Sequence, residues 1–412
     1  MRRAFLTLAL LSLALTVIVG VAPLASRESP TPPPTPVPPF GSPSPYPTEL
    51  ETPAIPKLRP VLSAPSGALV ELETGRVLYA TGGTTRRPIA STTKIMTALL
   101  VLRSTGMRDV VTVSSLAAAQ GGASLGLQTG ERIRVGDLLY ALMLQSANDA
   151  AVALAEHVAG STGAFVDLMN RRARAMGLRD TRFRSPNGLD DRGYSSALDL
   201  AQITVRALRH PVLARIARTK FYRVSSPDGE TRRLQNRNAL LWLYPGAFGV
   251  KSGFTSAAGS CLVAAAERNE LRLVSVVLGA PAEAFSDAAT LLDWGFATFE
   301  LRRVVIEGER FESARVGGRE VAVEAAETVR VLVRRGTVVD RTVQLEGDLA
   351  LPIEEGERVG EVVVTAGNGK ELGRAPVISV EDVSRVAHLP WAERMWEQAA
   401  GFLAAMFRSL LA

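Results

Sequence analysis

Pro88-Ile89-Ala90-Ser91-Thr92-Thr93-Lys94-Ile95-Met96-Thr97 opens the first helix of a globular domain. Proline suits the first turn of a helix, where its missing N–H is not needed, and apolar residues continue to Leu102. Ser91 and Lys94 stand three apart, so they share a face of that predicted helix. Upstream, Gly67–Glu73 and Arg76–Tyr79 are strand-like runs divided by Thr74-Gly75, the pattern of a β-hairpin. Downstream, helical periodicity recurs over 135–144, 149–159, 163–176 and 196–208. Strand texture returns from Phe248 to Leu278, where the apolar runs 260–265 and 271–278 are joined by Glu267-Arg268-Asn269-Glu270. A helix over 287–299 closes the segment. Strands at both ends with helices between predict an α/β (α+β) domain whose terminal strands share one sheet.

Beyond this domain the texture changes. From about Arg302 to Val383, short alternating strands recur at 303–306, 320–324, 329–333, 342–345 and 360–365, and Asn368-Gly369 marks a hairpin. This predicts a small all-β domain with no His, Cys or polar constellation, one that positions or contacts but does not catalyse. After Pro390, Trp391, Met395, Trp396, Phe402, Met406, Phe407 and Leu410 fall on one helical face, with Glu393, Arg394, Glu397 and Arg408 opposite. That face suits burial in a membrane interface, its charges cancelling, or docking on protein. At the other end, Arg2 and Arg3 precede an uncharged apolar stretch from Ala4 to Ala22, an export signal or a retained anchor. Residues 30–60 hold 13 of the 24 prolines and form an extended linker. The expected division is 1–25 signal or anchor, 26–60 linker, 61–300 catalytic domain, 301–386 all-β domain and 388–412 amphipathic helix. The bulk of the chain is expected outside the cytoplasm, at the outer face of the membrane in the cell envelope.

Composition excludes some chemistries. The chain's 412 residues exceed one ordinary core. A net charge of +6 with no Lys/Arg-rich run gives no case for nucleic acid. One cysteine excludes an intramolecular disulfide, and Cys261 in Cys261-Leu-Val-Ala-Ala-Ala266 reads as a buried strand residue. The three histidines, His157, His210 and His388, have no ligand partner at useful spacing, so no metal or cofactor is expected. The same scarcity argues against a Ser-His-Asp hydrolase.

The chain carries five lysines against 42 arginines. Arg cannot lose its proton in a protein, whereas a buried Lys can. Lys94 is therefore a candidate base for Ser91, the more so beside a second cation. Ser146-Ala147-Asn148 lies between two predicted helices. Its hydroxyl and amide can face a cleft, relaying a proton and orienting a substrate amide, or they can cap the next helix. Lys251-Ser252-Gly253-Phe254-Thr255 lies at the edge of the strand region. Its ammonium and hydroxyl suit a terminal carboxylate, and Gly253 suits the close approach of a substrate backbone.

Together Ser-x-x-Lys, Ser-x-Asn and Lys-Ser-Gly form the signature of penicillin-binding proteins and serine β-lactamases. The chain resembles the low-molecular-mass penicillin-binding proteins, the serine-type D-alanyl-D-alanine carboxypeptidases, over roughly residues 62–385 and in its tail. Asp137–Ala150, Ser185-Pro-Asn-Gly-Leu-Asp190 and Asn236-Arg237-Asn238 look like further family blocks. The resemblance implies a penicillin-binding/serine β-lactamase-like transpeptidase fold. It implies that Ser91 forms an acyl-enzyme with peptidoglycan stem peptides ending in D-Ala-D-Ala. Lys94 would take the serine proton and Ser146 would pass it to the leaving D-alanine. Asn148, Lys251, Ser252, Gly253 and Arg237 would bind substrate, with the N–H groups of Ser91 and Phe254 as oxyanion hole. β-Lactams would be covalent inhibitors. Ser252 stands where Thr is commoner, and Ala284 where many relatives carry an Arg near the substrate carboxylate. A β-lactamase-like hydrolase and a catalytically weak peptidoglycan-binding envelope protein are the alternative readings.

Overall fold

The structure is a computed structural model that describes residues 59–225, 231–282, 284–347 and 349–384, with 395–396 and 398–401 of the tail. The predicted hairpin forms from β1 (Ser66–Glu71) and β2 (Val77–Thr81), with Gly75 at φ +73° in the turn. Next come α1 (Lys94–Ser104), β3 (Val110–Thr112), α2 (Ser115–Ala118), β4 (Arg132–Arg134) and α3 (Val135–Tyr140). Three longer helices follow: α4 (Asn148–Ala159), α5 (Thr162–Ala175) and α6 (Ala197–Leu208). The last two are capped by Ser161 and Ser196, whose hydroxyls accept from N–H groups of their first turns. Then come α7 (Pro211–Arg218), the hairpin β5 (Phe221–Ser225) and β6 (Thr231–Gln235), and α8 (Leu240–Leu243). The segment ends with β7 (Ala247–Thr255), β8 (Gly259–Arg268), β9 (Leu271–Ala280) and α9 (Ala284–Thr298).

The two ends of this domain share one sheet, as expected: an antiparallel array in the order β2-β1-β9-β8-β7. Residues of a strand alternate between its faces. Ala68, Val70, Val263, Val274 and Val276 therefore join α1, α4 and α6 in one core. Leu69, Leu262, Ala264, Leu273 and Val277 join Leu291, Leu292 and Phe285 of α9 in the other. A sheet covered on both faces explains why its central strands are almost uniformly apolar. Cys261 is buried as expected, and burial pushes its thiol up to about 11.

The all-β domain follows without a break. Its strands are β10 (Phe299–Val305), β11 (Arg310–Val316), β12 (Arg319–Ala325), β13 (Val329–Arg334), β14 (Val339–Leu345), β15 (Arg358–Ala366) and β16 (Glu371–Ser379). β10 pairs with β13, and the others form a sheet in the order β11-β12-β16-β15-β14 around a valine-rich core. The domain is tied to the first by Arg76, which donates to the Leu332 carbonyl at 2.9 Å, and by Glu270, which pairs with Arg303 and Arg330.

No described helix is long and apolar enough to cross a membrane. Residues 1–58, which hold the expected signal and most of the linker, lie outside the described residues, as does most of the tail helix. Its described part is helical and exposed, including Met395 and Trp396.

Candidate active site

Ser91 is held in a 3-10 turn, Ala90–Thr93, that precedes α1, where the sequence pattern predicts continuous helix from Pro88. The interruption has a local cause. Ala90 has φ +46°, in the left-handed region that a residue with a Cβ seldom enters, so α-helix cannot run through it. The surrounding chain holds this turn from two sides. A Cβ at Gly188 would lie 1.9 Å from the Ala90 carbonyl oxygen, and one at Gly253 would lie 2.8 Å from the Ser91 nitrogen. Gly253 therefore admits the backbone of the serine turn itself, which sequence reasoning assigned to a substrate backbone.

Lys94, the first residue of α1, is fully buried. Its Nζ lies 2.8 Å from each of three oxygens: Ser91 Oγ, Asn148 Oδ1 and the Asn187 carbonyl. The expected Ser91–Lys94 pairing is thus present as a hydrogen bond. The Asn187 carbonyl is a partner that the sequence did not reveal. Its only signal was the Ser185-Pro-Asn-Gly block, which carries no hint that a main-chain atom is used.

Asn148 does not cap α4. The residue before it, Ala147, occupies the cap position, and the Asn148 side chain turns inward. Its Nδ2 donates to the Gly121 carbonyl at 2.8 Å, which fixes the amide so that Oδ1 faces Lys94. Both ends of the amide are therefore engaged within the protein, whereas the sequence reading gave it to substrate. The geometry follows from a π-helical turn, Ala141–Gln145, after α3, and from Ser146 at φ +64°, which reverses the chain before α4. Ser146 itself is buried beside this link.

Lys251 lies on β7, buried to 1% exposure, with Nζ 2.8 Å from the Ser252 carbonyl. Ser252 is buried and Phe254 half-exposed at the strand's end. Arg237 is exposed between two asparagines that fix its loop. Asn236 donates to the carbonyls of Ala217 and Thr219, and Asn238 Oδ1 accepts from the Leu240 N–H. The Arg237 N–H donates to the Leu144 carbonyl at 2.9 Å, drawing this loop to the Ser146 link. Ala284 is buried at the start of α9 and supplies no cation.

The electrostatics follow from burial. Desolvation holds Lys94 well below the usual lysine range, and the charges of Lys251 and Arg237 add to this, while Asp149 opposes it. Burial and Arg237 also bring Lys251 down to about 7. The ammonium that the sequence reading gave to a carboxylate therefore has, near neutrality, a charge that depends on pH and on whatever anion it meets.

A neutral amine has two N–H groups and one lone pair. The Asn148 and Asn187 oxygens can only accept. They take the two N–H groups, and the lone pair is left to Ser91 Oγ–H. Once the proton crosses, an ammonium finds the same three oxygens in place. The arrangement accommodates the amine before and after it acts as a base, with no reorganisation.

A serine hydroxyl paired to a buried, proton-shedding lysine at the edge of a five-stranded sheet defines the lysine-assisted serine acyl-transfer enzymes. Residues 54–282 match the family model described as D-alanyl-D-alanine carboxypeptidase, and the chain belongs to that family. It is 32% identical to the D-alanyl-D-alanine carboxypeptidase DacF of Bacillus subtilis over 80% of this chain and 88% of that protein. It is 35% identical to DacC of Escherichia coli over 79% of this chain and 85% of the relative. Among solved structures, penicillin binding protein 5 from Haemophilus influenzae superposes with a TM-score of 0.61 at 31% identity, covering 80% of this chain and 99% of that one.

Proposed function

We propose that this chain is a serine acyl-enzyme hydrolase that removes the C-terminal D-alanine from peptidoglycan stem peptides. The observation that carries the reading is the three-oxygen seat of Lys94, which turns a lone pair toward Ser91 Oγ. In this account Ser91 Oγ attacks the carbonyl between the two D-alanines while its proton moves to Lys94. The Ser91 and Phe254 N–H groups receive the charge that develops on the carbonyl oxygen. Ser146 passes the proton to the departing amine, the C–N bond breaks, and D-alanine leaves. Water then attacks the ester, returns a proton to Ser91 and releases the shortened peptide. Lys251, Ser252 and Arg237 hold the terminal carboxylate.

This reading takes Asn148 as the residue that aims Lys94, with substrate contact secondary to that duty. The 185–192 loop brings a carbonyl to Lys94, and no glutamate is bonded to that amine among the described residues. The division of the chain at residues 61–300 and 301–386, with the β domain as a spacer or contact module, belongs to the same proposal. So do export through the 1–25 segment and attachment of the 388–412 helix to the outer face of the membrane. The test is release of free D-alanine from a stem pentapeptide by the wild type and its loss in Ser91→Ala. A wild type that binds the peptide without releasing D-alanine overturns the reading in favour of a binding protein.

A further inference from the structure

Asp149 follows Asn148 at the start of α4 and is fully buried, yet nothing in the reaction above uses it. An acidic residue in the first turn of a helix is ordinarily accounted for by the helix dipole. Here the carboxylate does more than that. It accepts the Ala150 N–H of its own helix at 2.8 Å, then reaches across to a separate segment. There it accepts the Ser124 hydroxyl at 2.6 Å and the N–H groups of Leu125, Gly126 and Leu127 at 2.9, 3.0 and 3.1 Å. A buried carboxylate with this many donors is a fixed anchor, and each bond to it is charge-assisted.

The anchored segment returns to the site. Immediately before it, the Ala123 carbonyl accepts the Asn148 N–H at 2.7 Å, and the Gly121 carbonyl accepts Asn148 Nδ2 at 2.8 Å. Gly122 between them has φ +78°, and a Cβ there would lie 3.1 Å from Asn148 Nδ2. The wall at 121–127 is thus clasped at one end by Asp149 and at the other grips Asn148, whose Oδ1 seats Lys94.

We infer that Asp149 is a positioning residue for acylation: by clasping the 124–127 turn it presents the Gly121 and Ala123 carbonyls to Asn148, which then aims the Lys94 amine at Ser91. The inference rests on the acyl-enzyme reading given above. Its consequence is specific. Without the clasp, Asn148 loses the contact that fixes its amide, and Lys94 loses one of the two acceptors that orient its lone pair. The charge of Asp149 also reaches Lys94, opposing the burial and the Lys251 and Arg237 charges that lower it.

The experiment measures the second-order acylation rate by a fluorescent penicillin, as a function of pH, for the wild type, Asp149→Asn and Ser124→Ala. Failure of the wild type to be labelled refutes the acyl-enzyme reading itself and, with it, this inference. With a labelled wild type, Asp149→Asn is expected to lose on the order of 10–100-fold in rate, the scale of a misplaced reacting group. The acid limb of its profile is expected to move to lower pH, because a charge that raises Lys94 has gone. Loss of folding alone does not move that limb. Ser124→Ala removes one clasp bond and keeps the charge, so its rate falls severalfold with the limb in place. A folded Asp149→Asn with a rate within twofold of wild type and an unmoved limb overturns the inference. If Asp149→Asn does not fold, an unchanged rate in Ser124→Ala overturns it.

Discussion

Replacing Lys94 with Met keeps most of the volume of the buried side chain and removes the amine. Three contacts go with it, each at 2.8 Å: to Ser91 Oγ, Asn148 Oδ1 and the Asn187 carbonyl. Two effects compete in stability. The Asn148 and Asn187 oxygens lose a donor, at about 1–3 kcal/mol each if buried and unsatisfied. Against this, a polar amine no longer has to be held away from water. The two are of similar size, so the folded state survives with a modest shift in Tm. Catalysis has no such offset. A positioned general base contributes about 10²–10⁴-fold, and here the same amine also orients the hydroxyl, so acylation by a fluorescent penicillin should slow by about 10³-fold or more. That corresponds to roughly 4 kcal/mol of activation free energy. Lys94→Arg should lose as much, since arginine keeps its proton and so cannot accept the one on Ser91. The assay is the second-order labelling rate, with near-UV circular dichroism recorded on the same samples. A folded Lys94→Met or Lys94→Arg labelled within tenfold of the wild type refutes Lys94 as the base.

Three further outcomes follow from the geometry. With Lys251 at about 7 in the free protein, a peptide ending in a carboxylate should bind Ser91→Ala more weakly as pH rises through 7, while its C-terminal amide should not; calorimetric titration of both peptides at pH 6 and 8 checks this. A lysine whose folded pKa lies below its unfolded value of 10.5 leaves the unfolded chain with more bound protons between the two. Wild-type stability should therefore gain from this group as pH climbs from 7 to 10.5, and Lys251→Met should be more stable at neutral pH and lose that gain, by up to a few kcal/mol; denaturant midpoints at pH 7 and 10 measure it. Gly253→Ala places a Cβ 2.8 Å from the Ser91 nitrogen and 3.1 Å from the Thr92 nitrogen, against backbone that cannot swing aside. It should cost about 1–3 kcal/mol in stability and slow acylation more than a substitution at exposed Phe254.

Much of the catalytic domain was legible because its strands and helices obey their own periods. The hairpin at 66–81, the helices from α4 to α6 and the strands β7 to β9 each carry a pattern that local physics reads directly. Other elements were missed for lack of one. β5 and β6 read Phe-Tyr-Arg-Val-Ser and Thr-Arg-Arg-Leu-Gln, half-buried or exposed but for one buried side chain in each. β11 buries only Val316 at its end, and its other apolar residues do not alternate, so no period-2 pattern betrays it. The candidate site was singled out by its side chains, since Ser91, Lys94, Ser146, Asn148 and Lys251 have chemistry written in their identities. What sequence could not supply was the main chain: the Asn187 carbonyl on Lys94, the Gly121 carbonyl on Asn148, and the Ser91 turn pressed against Gly253. Such contacts are made between distant segments by atoms every residue possesses, so no residue type marks them.

On this mechanism Ser91 Oγ is the atom acylated. Peptide mapping by mass spectrometry after brief exposure to a penicillin tests it most directly. A single covalent adduct is expected on the peptide containing Ser91, at the mass of the intact opened β-lactam, and none in Ser91→Ala. An adduct on any other residue, or label that persists in Ser91→Ala, would contradict it.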